Sequence, residues 1–103
     1  MKTLPAASLH VVLALLGGEQ HGYALMQDVE ELSDGSVKMG PGTLYGTLNR
    51  LVSEGLIEET RQDERRRFYR LTAEGERVAA AELARLKSLV KRVQARGLRP
   101  GLA

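Results

Sequence analysis

The order of structural signals between residues 40 and 72 constrains the fold more than any other feature of this sequence. Gly40 and Pro41 predict the start of a helix, because the missing N–H of proline costs nothing in a first turn, and Gly55 predicts its end. Two strand-like runs follow with a polar turn between them, at 56–61, 62–66 and 67–71. This order predicts a helix that leads into a two-stranded antiparallel ribbon with one buried side.

The remainder of the sequence predicts three more helices. Apolar residues at helical spacing mark the first two, 5–16 and 21–32, and predict two buried faces: Leu9, Val12, Leu13 and Leu16 in one, and Leu25, Val29 and Leu32 in the other. Thr72 is a favourable N-cap for a long last helix. The predicted fold is mainly α with a small two-stranded antiparallel β-ribbon. It divides into a winged helix-turn-helix at 1–72, a C-terminal helix of the same compact domain at 73–97 and a flexible tail at 98–103.

Composition and charge narrow the function classes. A chain of 103 residues has room for one modest core, and with three Tyr, one Phe and no Trp this core must consist of Leu, Val and Ala. The lack of cysteine excludes disulfides and thiolate metal sites. No run approaches the roughly 20 apolar residues of a membrane span, and no signal peptide is recognisable, so we expect a cytoplasmic protein with no membrane partner. Because the net charge is only +2, nucleic-acid binding depends on where the charges lie.

The outward face of the helix that starts at Gly40 is unusual for a solvated surface. It carries one charge and mostly small or hydrogen-bonding side chains: Gly42, Thr43, Gly46, Asn49, Arg50 and Ser53. A mid-helix glycine such as Gly46 costs up to about 1 kcal/mol relative to alanine, so we expect a packing or binding reason for it. A face without bulk fits the major groove of DNA, where Asn can pair with adenine and Arg with guanine. The alternative interpretation is an ordinary exposed helix face.

Five arginines mark the ribbon: Arg61, Arg65, Arg66, Arg67 and Arg70. Arg65 and Arg66 lie near the predicted tip, where they could meet phosphates or a minor groove. The alternative is a solvated hairpin in which Asp63 and Glu64 neutralise part of the charge. The positions of the arginines, and not the net charge, therefore carry the prediction of DNA binding.

The last predicted helix has an apolar seam with a 4-3-4-3 spacing, typical of heptads: Ala79, Leu83, Leu86, Val90 and Val93, with Leu89 beside it. The seam could pack on the first helix of its own chain or on a second copy, and we expect both. A helix of about 25 residues spans roughly 37 Å, which is more than this small body can cover. We therefore predict a homodimer through Leu83, Leu86, Val90 and Val93.

Three motifs in this order resemble the PadR-like family of transcriptional regulators, in its short form with a single C-terminal helix. They are His21-Gly22-Tyr23-x-Leu25, Gly42-Thr43-Leu44-Tyr45-x-x-Leu48-x-Arg50-Leu51-x-x-x-Gly55-Leu56-Ile57, and Arg66-Arg67-Phe68-Tyr69-x-Leu71-Thr72-x-x-Gly75. The resemblance implies a homodimeric winged-helix repressor whose last helix exchanges contacts between protomers. Effectors in this family are often small aromatic or amphipathic compounds. The departures are the acidic pair in the wing turn and the absence of Trp, which some multidrug-binding members use to stack planar ligands.

We predict a regulator that binds double-stranded DNA through Lys38, Thr43, Tyr45, Asn49, Arg50, Arg65 and Arg66. Two recognition helices set about one helical turn apart would read successive major grooves of a pseudo-palindromic operator. His10 and His21 are too few ligands for a metal site, and no set of residues indicates catalysis or a cofactor. We therefore predict no enzyme, no metal and no cofactor. The competing interpretation is a winged-helix adaptor whose arginine hairpin binds an acidic protein partner instead of DNA.

Overall fold

The computed structural model describes residues 3–97, which form four helices and three short strands. In chain order these are α1 (Ala6–Leu15), β1 (Gln20–His21), α2 (Gly22–Leu32), α3 (Pro41–Ser53), β2 (Ile57–Asp63), β3 (Arg66–Leu71) and α4 (Ala73–Ala95). The arrangement confirms the predicted mainly α winged helix-turn-helix with a long last helix. The predicted tail at 98–103 lies outside the described residues. None of the helices within residues 3–97 is long and apolar enough to cross a membrane.

Side-chain and backbone caps fix where the helices begin. The Nδ1 of His21 accepts a hydrogen bond from the N–H of Ala24 at 3.3 Å, which caps α2. Gly40 precedes Pro41 at the first position of α3, as predicted. The hydroxyl of Thr72 accepts from the N–H of Gly75 at 3.0 Å and caps α4, again as predicted.

The sheet has one strand more than the sequence predicts, in the order β1-β3-β2, and all neighbours are antiparallel. The added strand, β1, has two residues, which pair with Phe68 and Tyr69 of β3. Such a short strand has no alternation that a sequence pattern could reveal. The ribbon β2–β3, with its turn at Glu64 and Arg65, is the wing; its buried aromatic side chain is Tyr69, whereas Phe68 is half-buried.

Aliphatic side chains from the first three helices and the base of the wing form the core: Val11, Val12, Leu15, Leu25, Val29, Leu44, Leu48, Leu51, Leu56 and Ile57. The buried face of α1 differs from the predicted one: Leu9 and Leu13 are only half-buried, whereas Val11 and Leu15 are buried. Leu16 and Leu32, predicted on the buried faces, are exposed. Both stand at a helix end, Leu16 just after α1 and Leu32 as the last residue of α2, where the neighbouring helices no longer cover them.

The first turn of α4 packs directly on the start of the wing. A Cβ atom built on Gly75 would lie 2.0 Å from the carbonyl oxygen of Leu56. Glycine is therefore required at this position, because no side chain fits between the helix and that carbonyl. Thr72 reinforces the junction, since its hydroxyl donates to the carbonyl of Gly55 at 2.6 Å.

Candidate nucleic-acid interface

Small side chains form a ridge along the outward side of α3. This outer ridge comprises Gly42, Gly46, Asn49 and Ser53, all of which are exposed. A Cβ atom built on Gly42 or Gly46 would meet no heavy atom within 4 Å, and neither residue has a positive φ. Nothing in the packing or backbone of residues 3–97 therefore requires glycine here, although glycine lowers helix stability. What the two glycines provide is a surface that another molecule can approach closely.

The flank of α3 next to the wing forms a cleft with it. Tyr45 and Asn49 of α3 and Arg65 and Arg67 of the wing line a space of about 290 Å³. Tyr45 and Asn49 stand four residues apart and so share one side of the helix. The cleft therefore combines an amide, a phenol and two guanidinium groups, all of which can hydrogen-bond to phosphates or base edges.

Tyr45 also connects α3 to the start of α2. A Cβ atom built on Gly22 would lie 2.6 Å from the hydroxyl oxygen of Tyr45 and 3.0 Å from its ring carbon. The glycine of the His-Gly-Tyr motif thus leaves room for the tyrosine ring of the next helix. A second cleft of about 340 Å³ continues from this point, lined by His21, Gly22, Tyr23, Tyr45, Arg65 and Arg66. Because the two clefts share Tyr45 and Arg65, they form one concave surface.

Carboxylates pair with three of the five wing arginines. Arg61 lies 3.3 Å from a carboxylate oxygen of Glu19. Arg67 lies 3.6 Å from Glu59, and Arg70 lies 2.6 Å from Glu58. No carboxylate oxygen lies within 4.0 Å of Arg65 or Arg66 among residues 3–97. The two tip arginines are therefore the ones whose charges are available to a partner molecule.

Arg50 lies on the far flank of α3, away from the wing. It borders a groove of about 440 Å³ whose lining is mainly apolar: Thr3, Leu4, Pro5, Arg50, Glu54, Leu56 and Val78. Arg50 and Thr43 are exposed, on the side of the outer ridge opposite Tyr45. Lys38 is exposed in the connection between α2 and α3.

The seven predicted DNA-binding residues therefore fall into two groups. Tyr45, Asn49, Arg65 and Arg66 line the concave surface between α3 and the wing. Lys38, Thr43 and Arg50 are exposed but do not line it. The structure adds side chains to the surface that the sequence interpretation did not select: His21, Tyr23 and Arg67. The His-Gly-Tyr motif was the sequence signal for the first two.

The second half of α4 presents an apolar surface. Glu82, with an exposed fraction of 2%, is the last buried residue of this helix. Beyond it, Leu83 is 37% exposed, Leu89 44% and Val90 52%, while Leu86 and Val93 are half-buried. Within the part of the chain that the structure describes, no group of three His, Asp or Glu residues could hold a metal ion.

The four helices, the small antiparallel sheet and the exposed third helix beside an arginine-tipped ribbon define a winged helix-turn-helix protein. The chain belongs to the PadR-like family of transcriptional regulators, which it matches over residues 12–81. It is similar to the transcriptional regulator Rv3488 of Mycobacterium tuberculosis, with 37% identity over 91 residues that cover 85% of this chain and 82% of the relative.

Two further comparisons bear on length and fold. An uncharacterised 37.1 kDa protein in transposon TN4556 of Streptomyces fradiae is 34% identical over 87 residues, which cover 84% of this chain but only 25% of that protein. The chain thus spans a quarter of that relative's length. The structure of Bacillus subtilis PadR in complex with operator DNA matches with a TM-score of 0.65 and 23% identity, over 77% of this chain and 47% of that one. This likeness supports the fold.

Proposed function

We propose that this chain binds a pseudo-palindromic operator as a homodimer and represses transcription, with α3 in the major groove and the wing on the adjoining backbone. The observation that carries the proposal is the concave surface between α3 and the wing, where Tyr45 and Asn49 adjoin Arg65. Arg65 has no carboxylate partner within the described range 3–97. Its guanidinium group is therefore available to a phosphate, and Asn can pair with adenine. The likeness to B. subtilis PadR, a protein solved with operator DNA, supports the same mode of binding.

Each predicted residue has a role in this mode. Asn49, on the outer ridge, reads a base edge, and Tyr45 donates its hydroxyl to a phosphate at the groove wall. Arg65 and Arg66 bind phosphates beyond the groove. Arg50 and Thr43 face the opposite wall, and Lys38 contacts the backbone near the start of α3. The roles of the four α3 residues follow from the side of the helix on which each stands. The roles of Lys38, Arg65 and Arg66 follow from their exposed positions before α3 and at the tip of the wing.

The salt dependence of binding tests the role of the wing. Each phosphate contact contributes about 0.9 to the slope of log affinity against log salt, so the Arg65→Ala/Arg66→Ala variant should reduce the slope by about 2 per protomer. Fluorescence anisotropy with the promoter duplex of the protein's own gene measures this. Arg77→Ala/Arg92→Ala removes the same charge from exposed positions of α4 and should leave the slope unchanged. Equal slopes for wild type and the wing variant would contradict the proposal, and salt-insensitive binding to an acidic protein would favour the adaptor.

The exposed apolar face of α4 supports the proposed homodimer. Residues 83–95 contain no buried position in a single chain and extend the helix by about 20 Å at 1.5 Å per residue. An apolar face of this kind usually marks an interface. We expect Leu86→Glu to give monomers by light scattering and to abolish operator binding, since one protomer contacts a single half-site. Ala84→Glu, which adds the same charge on the exposed opposite side, should remain dimeric.

Repression and its release complete the proposal. In transcription reactions with purified polymerase, adding the protein should lower the yield of transcript from the operator-bearing promoter, and a rise in yield would indicate an activator.

An amphipathic anion could cause the protein to dissociate from the operator by filling the groove beside Arg50, with its apolar part on Leu56 and Val78. It would lower DNA affinity by its preference for the free protein. A panel of aromatic carboxylates tests this; Val78→Trp should abolish their effect, and unchanged release by that variant would exclude the groove.

A further inference from the structure

The wing contains a β-bulge at Thr60. Glu59 pairs with Tyr69, and Arg61 pairs with the next residue of β3, Phe68, so that Thr60 is the extra residue of β2. In a regular strand, neighbouring side chains point to opposite faces. At the bulge, Thr60 and Arg61 both reach the carboxylate of Glu19, which lies outside the wing. The bulge is therefore what allows one carboxylate to hold two successive residues of the wing.

A small network of contacts surrounds this carboxylate. The hydroxyl of Thr60 donates to Oε1 of Glu19, and the Nε of Arg61 lies 3.3 Å from Oε2. The guanidinium of Arg61 also lies over the ring of Phe68, 3.9 Å from its centroid. The ring of His21 meets the Phe68 ring edge-on, with 5.5 Å between centroids. We call Glu19, Thr60, Arg61 and Phe68 the wing clamp.

The wing clamp connects the wing to the segment between α1 and α2. Glu19 directly precedes β1. The side-chain amide of the next residue, Gln20, donates to the carbonyl of Ala14 at 3.1 Å and to the carboxylate of Asp28 at 2.9 Å. The clamp is thus fixed to both α1 and α2. The hydrogen bond from Thr60 lowers the pKa of Glu19 below its ordinary value, so the carboxylate stays ionised to a more acidic pH than a free glutamate.

We propose that Glu19 is a positioning residue for DNA binding: through Thr60 and Arg61 it sets the angle of the wing, so that Arg65 and Arg66 reach the phosphates. The proposal rests on the function proposed above. Exposed ion pairs contribute little to the stability of a fold, whereas a preorganised surface avoids the cost of ordering its side chains on binding. A clamp of exposed contacts therefore affects binding more than unfolding.

Whether Glu19→Gln weakens or strengthens operator binding distinguishes the positioning role from a purely electrostatic one. Removing a carboxylate near the interface should strengthen DNA binding if Glu19 acts only through its charge. If Glu19 positions the wing, Glu19→Gln should instead weaken operator binding, by roughly three- to tenfold, and Thr60→Val should do the same. Glu58→Gln is the matched control, because its carboxylate pairs with Arg70 inside the wing and does not reach the loop before β1. It should bind at least as tightly as wild type.

A double-mutant cycle with the tip arginines completes the test. In an Arg65→Ala/Arg66→Ala background the tip has no phosphate contacts to position, so Glu19→Gln should have no further effect on affinity. The midpoint of urea unfolding should be nearly unchanged in all Glu19 and Thr60 variants. An equal loss in both backgrounds, or Glu19→Gln binding as tightly as Glu58→Gln, would overturn the positioning role. Failure of wild type to bind duplex DNA would instead overturn the proposed function.

Discussion

Replacing Gly46 with alanine should make the protein more stable and a weaker DNA binder. The residue lies in the interior of α3, and its added methyl group would meet no heavy atom within 4 Å. Because glycine in a helix interior costs roughly 0.5–1 kcal/mol relative to alanine, the free energy of unfolding should rise by about that amount. For a domain of this size, such a gain raises the midpoint of thermal unfolding by roughly 2–8 °C.

The loss of DNA affinity follows from the position of Gly46 on the outer ridge. If this ridge lies against the groove, the methyl group must displace either the DNA or the helix. Inserting a methyl group into a closely packed contact costs about 1–3 kcal/mol for each protomer, which corresponds to a roughly five- to 150-fold loss of affinity per half-site. Anisotropy titrations of wild type and Gly46→Ala with one operator duplex, beside thermal unfolding of both, measure the two effects on the same samples.

The control for Gly46→Ala is the reverse exchange at a site far from the interface. Ala81→Gly on the exposed side of α4 should lower stability by about 0.5–1 kcal/mol without changing operator affinity. Stability and binding are then shown to vary independently. A Gly46→Ala protein that is more stable and binds as tightly as wild type would refute the argument, because the ridge would then not be a close contact with DNA.

Three other substitutions probe contacts that the structure defines. Gly22→Ala should weaken operator binding in anisotropy titrations, because its Cβ would lie 2.6 Å from the hydroxyl oxygen of Tyr45 and displace that ring; normal binding would remove Tyr45 from the interface. Gly75→Ala should destabilise the fold by about 3 kcal/mol or more in urea unfolding, since its Cβ would collide with the carbonyl of Leu56; a cost below 1 kcal/mol would mean that α4 can shift. Arg85→Ala should cost about 1–3 kcal/mol, because it removes the 2.6 Å partner of the buried Glu82 carboxylate; rescue by Glu82→Gln would identify the lone charge as the cause.

The sequence was most informative where a local rule decides the outcome. Gly40 with Pro41, and Thr72 before the last helix, predicted two helix starts that the structure confirms, because a cap depends on three or four consecutive residues. The buried side of α3 follows an equally local pattern, since Leu44, Leu48 and Leu51 recur at helical spacing and are all buried. Local patterns thus sufficed for the parts of the fold that expose the outer ridge.

Features that depend on distant residues could not be predicted in this way. Strand β1 exists because its two residues pair with β3, and neither residue carries a strand signal of its own. The contact between Glu19 and Thr60 joins residues 41 positions apart through a bulge. Gly75 is required by the carbonyl of Leu56, not by a turn. In each case the feature depends on a contact with a residue that is distant in the sequence and becomes a neighbour only in the folded chain.

The acidic partners of the wing arginines should increase the specificity of binding at a small cost in affinity. Glu58 and Glu59 pair with Arg70 and Arg67, which leaves mainly the tip to attract phosphates. Non-specific affinity grows with the number of phosphates that are neutralised, whatever the sequence. The Glu58→Gln/Glu59→Gln variant frees two guanidinium groups, so its affinity for random duplex should rise more than its affinity for the operator.

Competition titrations with random and operator duplexes give the ratio of the two affinities for wild type and variant. Two added phosphate contacts would also steepen the salt slope for random duplex by about 2 per protomer. If the ratio is the same in wild type and variant, the two carboxylates contribute to the structure of the wing and not to the specificity of DNA binding. A lower ratio of operator affinity to random-duplex affinity in the variant would show that the two carboxylates raise specificity: they pair with Arg67 and Arg70 and leave the arginines at the tip as the main phosphate contacts of the wing.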